Sequence, residues 1–259
     1  MAMNRASFAK MLEPGLNTLF GLEYDSYPAE YEAVFESNTS QKAFEEDVLL
    51  AGFGSAPTKN EGASVSYDDA GQQWTARYQH ETVALAFSIT EEAEEDGQYG
   101  SIASRYTKAL ARSMASTKEI KAANVLNNAT SANIGDGTTL LSTSHPTQNG
   151  NQSNTLATAA DLSETSLESI LIQIADMKDE RGLRIAAQGT RLVIPTAYTF
   201  VAERLLESQL RTGTADNDIN AIKSGGYLPG GYHVMRRLTD SDAFFVLTDV
   251  PDGLKMFQR

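Results

Sequence analysis

From residue 88 to about residue 130 the sequence reads as one long helix, and a rod of that length dictates what can be built around it. It opens Ser88-Ile89-Thr90-Glu91-Glu92, a hydroxyl followed three residues later by a carboxylate, the signature of a capping box. Glu91, Glu92, Glu94, Glu95 and Asp96 crowd the first turns, and Arg105, Lys108, Arg112, Lys118 and Lys121 occupy the later ones. That order sets negative charge at the positive end of the helix dipole and positive charge at the negative end. Ile102, Tyr106, Leu110, Met114, Thr117 and Ile120 recur at steps of three and four, which predicts one apolar stripe. Gly97 and Gly100 weaken the early turns by about 1 kcal/mol each relative to alanine. At ~1.5 Å per residue the rod would approach 60 Å, far beyond the usual three or four turns. With a single apolar stripe it must lie across something broad, as a spine.

The rest of the chain supplies what the spine crosses. Residues 1–50 are poorly periodic. Leu16, Leu19, Phe20 and Leu22 predict a short amphipathic turn, tyrosines follow at 24, 27 and 31, and Phe44, Val48, Leu49, Leu50 and Phe53 lead out. Such an arm has too few apolar residues for a core of its own and must be ordered by packing on something else. From Gly62 the period changes to two. Ala63, Val65 and Tyr67 alternate with polar neighbours, Asp68-Asp69-Ala70-Gly71 marks a turn, and Trp74, Ala76, Tyr78 and His80 alternate on a return strand running on through Val83, Leu85 and Phe87. This predicts a long hairpin, which needs support from another surface or another chain.

Beyond the spine, 133–155 is rich in Ser, Thr, Asn and Gly and reads as irregular loop. A helix follows, capped by Asp161 or Ser163, buried along Leu167, Ile170, Leu171, Ile174 and Met177, and terminated by Gly182. Then come strand Arg191-Leu192-Val193-Ile194 ending at Pro195, and a helix with Tyr198, Val201, Leu205 and Leu206 at core spacing. Two further strands lie near 232–235 and 243–247, and Leu254-Lys255-Met256-Phe257 begins a last one that reads as cut short. Helices alternating with short strands predict an α+β fold.

Composition excludes several functions. The 259 residues are 41% apolar, enough for a sizeable core. Lys+Arg number 21 against 34 Asp+Glu, a net charge of -13, which repels nucleic acid and anionic membranes. The absence of cysteine rules out disulfides and thiolate metal sites. Without a long apolar run or a signal-peptide core, we expect a soluble, unexported chain with no membrane partner.

Catalytic patterns are sparse. No phosphate-cradling Gly-x-x-x-x-Gly-Lys or Gly-x-Gly-x-x-Gly is present, and His80, His145 and His233 lack ligand spacing. Ser144-His145 sets a hydroxyl beside an imidazole, but adjacency in sequence is not triad geometry. Asp216-x-Asp218-x-Asn220 resembles the start of a calcium loop, yet Ala221 stands where glycine is needed and Tyr227 where a bidentate glutamate belongs. A polar loop capping the next turn explains it better. The expectation is no catalytic residue, no cofactor and no metal.

The order of parts resembles the major capsid protein of tailed bacteriophages, with the Hong Kong 97-like fold. Three stretches carry the resemblance: Trp74-Thr75-Ala76-Arg77-Tyr78 leading to Phe87-Ser88-Ile89-Thr90-Glu91; Lys178-Asp179-Glu180-Arg181-Gly182 before Leu192-Val193-Ile194-Pro195; and Gly213-Thr214-Ala215-Asp216-Asn217-Asp218-Ile219-Asn220 after a helix. The resemblance implies an N-terminal arm at 1–50, an extended β-hairpin loop at 51–87, a peripheral domain with the spine helix at 88–135, an axial α+β domain at 136–240, and a return to the peripheral sheet at 241–259. It also implies hexamers and pentamers closing an icosahedral head around double-stranded DNA that is held without specific binding. A portal, a separate scaffolding protein and a decoration protein would be partners. The protein would be a virion component assembled in the bacterial host cytoplasm. Relatives usually continue through another strand at the end.

Within that reading, Trp74, Tyr78 and Phe87 are the candidate intersubunit anchors, because aromatics dominate interface energetics. Arg77 and Lys59 are candidate intersubunit ion-pair donors, and Asp216, Asn217 and Asp218 are candidate contacts in the later loop. Some relatives crosslink through a hairpin lysine. Lys59 is the one lysine there, but the sequence reveals no acidic partner for it. Two rivals remain: an encapsulin-like nanocompartment shell, and a hydrolase or metal enzyme using Ser144/His145 or Asp216/Asp218.

Overall fold

The computed structural model describes residues 6–88, 99–211 and 218–259. In chain order it contains helix α1 (Ala6–Asp25), strands β1 (Glu36–Thr39), β2 (Phe44–Ala51) and β3 (Gly71–Gln79), and helix α2 (Tyr99–Asn127). There follow β4 (His145–Thr147), β5 (Gly150–Gln152), helix α3 (Glu164–Ala175), β6 (Gly189–Ile194), helix α4 (Thr199–Glu207) and the short helix α5 (Ala221–Gly225). Strands β7 (Tyr232–Val234), β8 (Phe245–Thr248) and β9 (Lys255–Gln258) complete the order. The chain divides into two compact units, residues 1–31 with 81–122, and residues 32–80 with 123–259. Among the described residues no helix is long and apolar enough to cross a membrane.

In the smaller unit, the early segment differs from expectation. It is a helix of 20 residues rather than a single amphipathic turn, and it carries Pro14 and Gly15 within it. Those two residues, both poor helix formers, obscured it in sequence. Phe20 stacks on Tyr24 at 5.9 Å. Lys108 of α2 lies 3.6 Å from Glu23, and the Tyr27 hydroxyl donates to the same carboxylate at 3.2 Å. The Glu30 amide donates to Glu119, and the Lys118 ammonium sits 4.7 Å from the centre of the buried Tyr31 ring.

The long helix is real, but its buried stripe is not the one that apolar spacing predicts. Its described extent is 29 residues; Ser88 of the predicted capping box is exposed and outside any helix, and its partner Glu91, the acidic opening turns and Gly97 lie outside the described residues. Ala103, Thr107 and Ala111 are buried at steps of four, whereas Tyr106 and Ile120 are mostly exposed. Small side chains let the backbone approach its neighbours closely, so they take the inner face, and the Thr107 hydroxyl is satisfied by the Ala103 carbonyl at 2.8 Å. The larger apolar residues are displaced to a neighbouring face.

The larger unit is centred on β6, whose Leu192, Val193 and Ile194 are fully buried. It pairs in parallel with β7 and antiparallel with β8, giving the order β7-β6-β8. Leu162, Leu167, Leu192, Ile194, Ala202, Leu206, Ile222 and Leu228 form one core around it. Ser163 caps α3 in a capping box with Ser166, while Asp161 contributes only a backbone carbonyl. Gly182 does not end that helix. Asp176 does, and Gly182, at φ +86°, closes the following turn by donating its amide to the Asp179 carbonyl. The 133–155 segment is largely irregular, broken by the small β4–β5 ribbon.

Strand pairing corrects the predicted hairpin. The return strand is β3, but its partner is β2, paired antiparallel from Phe44↔Gln79 to Ala51↔Gly71 with a bulge between Val48 and Leu50. Ala63, Val65 and Tyr67, read as the outgoing strand, belong to the irregular connection, and Val83, Leu85 and Phe87 lie beyond the strand's end. The last segment is shared between two sheets: β8 joins β6, and β9 runs parallel to β1, Glu36↔Lys255 to Thr39↔Gln258.

Candidate intersubunit interface

Strand β2 of the β2–β3 hairpin displays much of its apolar content. On β2, Phe44, Val48 and Leu50 face outward, with Leu50 73% exposed, while Glu45 and Asp47 face inward. The inward charges survive because each has partners. Glu45 accepts from Lys42 at 2.9 Å and from the Ser40 hydroxyl at 2.7 Å, which hold its carboxyl below the usual range. Asp47 accepts from Lys255 of β9 at 3.0 Å, and Lys255 also reaches Asp252 at 2.7 Å; the two carboxylates, Asp252 foremost, hold the ammonium above its usual pKa.

On β3, Trp74, Ala76 and Tyr78 turn inward. Trp74 packs against Gly135: a Cβ built on Gly135 would sit 2.4 Å from its Cε3. Tyr78 packs against Phe257 of β9 with ring centres 5.3 Å apart, and burial, seconded by the Asp47 charge, raises its pKa. Arg77 points outward, donates to Glu46 at 2.7 Å and covers the Phe44 ring at 4.3 Å. These predicted anchors are thus already engaged within the chain. Phe87 lies in the other unit, against Tyr106 at 5.8 Å, and is 40% exposed.

Between the strands, residues 52–70 are exposed throughout except at Gly54. Phe53, Val65 and Tyr67 are among them, Tyr67 at 96%. Lys59 is exposed there with no partner among the described residues. Asp68 is the anchor that ties this loop back. It accepts the Gly54 amide at 2.8 Å and receives Arg181 on both oxygens at 2.7 and 2.8 Å, and these donors, the Gly54 amide first, lower its pKa. Arg181 also donates to Gln148 on the β4–β5 ribbon at 2.9 Å. No sequence pattern announces this clamp, whose two halves lie far apart in the chain.

Ser144 and His145 do not face each other. Ser144 Oγ accepts from Asn151 at 2.6 Å, whereas His145 Nδ1 faces Asp136 at 2.6 Å and Thr138 at 3.0 Å. Burial would raise the Asp136 pKa, but the bonds from His145 and Thr138 outweigh it and keep the carboxyl below its usual value. Nothing in sequence had flagged Asp136. Asp216 and Asn217 lie outside the described residues. Asp218 is exposed and accepts the Arg211 amide through its carbonyl at 2.9 Å, and Asn220 caps α5 by accepting from Ile222 and Lys223. Asn220 thus caps the next turn, as read from sequence, and no cluster of three or more metal-ligating side chains occurs among the described residues.

An outward-facing apolar strand, a clamped exposed loop and a long helix are set in a mixed α+β architecture. The chain belongs to the family of phage capsid proteins, whose family model matches residues 72–258. Among solved structures it is similar to the capsid of bacteriophage JBD30 decorated with minor capsid protein trimers, with a TM-score of 0.62 and 15% identity over 83% of this chain and 92% of that one. The JBD30 procapsid aligns at a TM-score of 0.57 and 15% identity, covering 90% of this chain and 99% of that one. No curated protein sequence matches. The resemblance read from the sequence to phage major capsid proteins is borne out.

Proposed function

We propose that this capsid protein assembles into hexamers and pentamers that close an icosahedral head around double-stranded DNA. One observation carries the reading: β2 turns Phe44, Val48 and Leu50 to solvent, and of its three carboxylates only Glu46 shares that face. A strand that solvates its apolar face gains nothing alone, and covering that face with another copy is worth about 25 cal/mol per Å². A closed shell is the symmetric way of satisfying every copy at once.

In this reading residues 1–50 supply an arm and 51–87 the reaching loop, with β2 as the strand that supports it. Residues 88–135 form the peripheral spine, 136–240 the axial domain, and 241–259 the return to the sheet. Phe87 and Lys59, exposed as they are, remain intersubunit contacts, and Trp74, Tyr78 and Arg77 act by shaping the hairpin that presents them. Asp216, Asn217 and Asp218 stay assigned to contacts in the later loop. The net charge of -13 suits a lining that releases DNA. A portal and a scaffolding protein are the expected partners, with virion localisation after assembly in the host cytoplasm. The decorated JBD30 capsid supports a minor protein on the outside.

Electron microscopy of the purified protein with size-exclusion chromatography is the test. Closed shells or capsomer-sized rings are expected, and a monodisperse monomer or dimer across a wide concentration range would overturn the reading. Cargo protein in place of DNA inside shells would favour a nanocompartment.

A further inference from the structure

The larger unit contains an open cleft of about 1320 Å3 between the end of α2, helix α3, strand β8 and the loops at 139–143, 154–161 and 250–254. That is more than the roughly 300–1,000 Å3 of small-molecule sites. Its floor is apolar, including Leu126, Leu141, Ile170, Ile174, Phe244 and Val246. Its charged lining is of one sign: Glu36, Asp161, Asp240, Asp242 and Asp252, with no Lys, Arg or His.

We propose that this cleft receives residues 1–12 of a second copy of the chain; the inference rests on the shell-forming reading above and names where one copy grips the next. The argument is complementarity. Of the five carboxylates, only Asp252 has a cation among the described residues, Lys255. Asp161, Asp240 and Asp242 converge on Tyr198, whose pKa is raised by burial and then by these three charges. An acid-rimmed apolar cleft selects a basic amphipathic segment. The sequence contains two stretches of that kind, and one of them, 101–118, is already built into α2. The other is the first twelve residues, MAMNRASFAKML, which hold Arg5 and Lys10 and no carboxylate, in a chain of net charge -13. Phe8, Met11 and Leu12 fall at i, i+3 and i+4 of the helical segment that begins at Ala6. Methionines at 1, 3 and 11 suit an irregular apolar floor.

The test is hydrogen exchange of the full-length protein, assembled and dilute, reading peptides that cover 139–143 and 154–161. The chains are wild type, Arg5→Glu/Lys10→Glu, Asp161→Lys/Asp242→Lys, an equal mixture of these two, and a chain lacking residues 1–12. All four substituted side chains are polar, and the two aspartates are exposed, so folding is not at stake. Assembly should slow exchange at the cleft at least ~10-fold in wild type, the scale of a few well-placed charges and apolar contacts. Either charge reversal alone should abolish that slowing, and the mixture should restore it, because a reversed segment then meets a reversed cleft on another copy. Slowing that survives in the truncated chain means another occupant and overturns the inference, as does slowing already present in the dilute monomer. Wild-type shells whose cleft exchanges at the free rate overturn this inference and leave the shell reading intact. Wild-type protein that never associates removes both, and microscopy tells the two failures apart.

Discussion

Replacing Gly135 by alanine puts a methyl group where the Trp74 ring now lies. The added Cβ would stand 2.4 Å from Cε3, 2.5 Å from Cζ3 and 3.2 Å from the Ala76 methyl, so two neighbouring residues of β3 block it together. Ordinary carbon contacts are about 3.5–4.0 Å, and the ring must therefore withdraw by roughly 1 Å or rotate off the surface. Overpacking of this kind costs about 1–3 kcal/mol. In a chain of this size that lowers the midpoint of thermal unfolding by about 3–10 °C. Trp74 is the one tryptophan in the sequence, so its fluorescence reports the event directly, and the emission should shift to the red as the ring gains water. Adding Trp74→Leu to Gly135→Ala should recover much of the loss, giving a coupling of about 1 kcal/mol or more in a double-mutant cycle followed by circular dichroism. Emission and unfolding midpoint both unchanged in Gly135→Ala would refute the packing of the hairpin on residue 135.

Arg181→Gln should release the exposed loop: amide exchange across 52–70 quickens, while the midpoint of global unfolding stays put, since the clamp holds a loop and not the core. Asp136 has a folded pKa below its unfolded value of about 3.9, so its contribution is complete above that value and is lost as pH falls through the folded pKa. Acid titration of stability should accordingly flatten below about pH 4 in Asp136→Asn relative to wild type. Leu192→Ala, at the centre of β6 with no exposed surface, should cost about 2–5 kcal/mol in denaturant unfolding.

Where one side of an element faces its own core, the sequence was readable. Leu167 and Ile174 of α3 are buried seven residues apart as their spacing predicts, Ser163 caps that helix, and Leu192 to Ile194 form a buried strand ending before Pro195. Trp74, Ala76 and Tyr78 keep the inward alternation expected of them. Reading failed where the apolar face looks elsewhere. Strand β2 displays Phe44, Val48 and Leu50 and turns Glu45 and Asp47 to its other side, so its pattern carries no sign of its partner, while the exposed Ala63-Val65-Tyr67 alternation mimics one. On α2 the large apolar residues advertise a stripe, but Ala103, Thr107 and Ala111 occupy the inside, because close approach favours small side chains. The clamp between Asp68 and Arg181 and the Asp136–His145 pair arise from loops brought together by tertiary folding. Loops without periodicity leave no trace of such pairings in a single sequence.

The parallel pairing of β1 with β9 sets a clock on synthesis. Thr39 leaves the ribosome early, but its partner Gln258 is made roughly 200 residues later, which at about 5–20 residues per second is a wait on the order of 10–40 s. Until then β1 is a bare edge, Asp47 lacks the Lys255 ammonium, and Tyr78 lacks the Phe257 ring. The β2–β3 hairpin therefore gains its support from β9, through Lys255 and Phe257, only once that strand has been made.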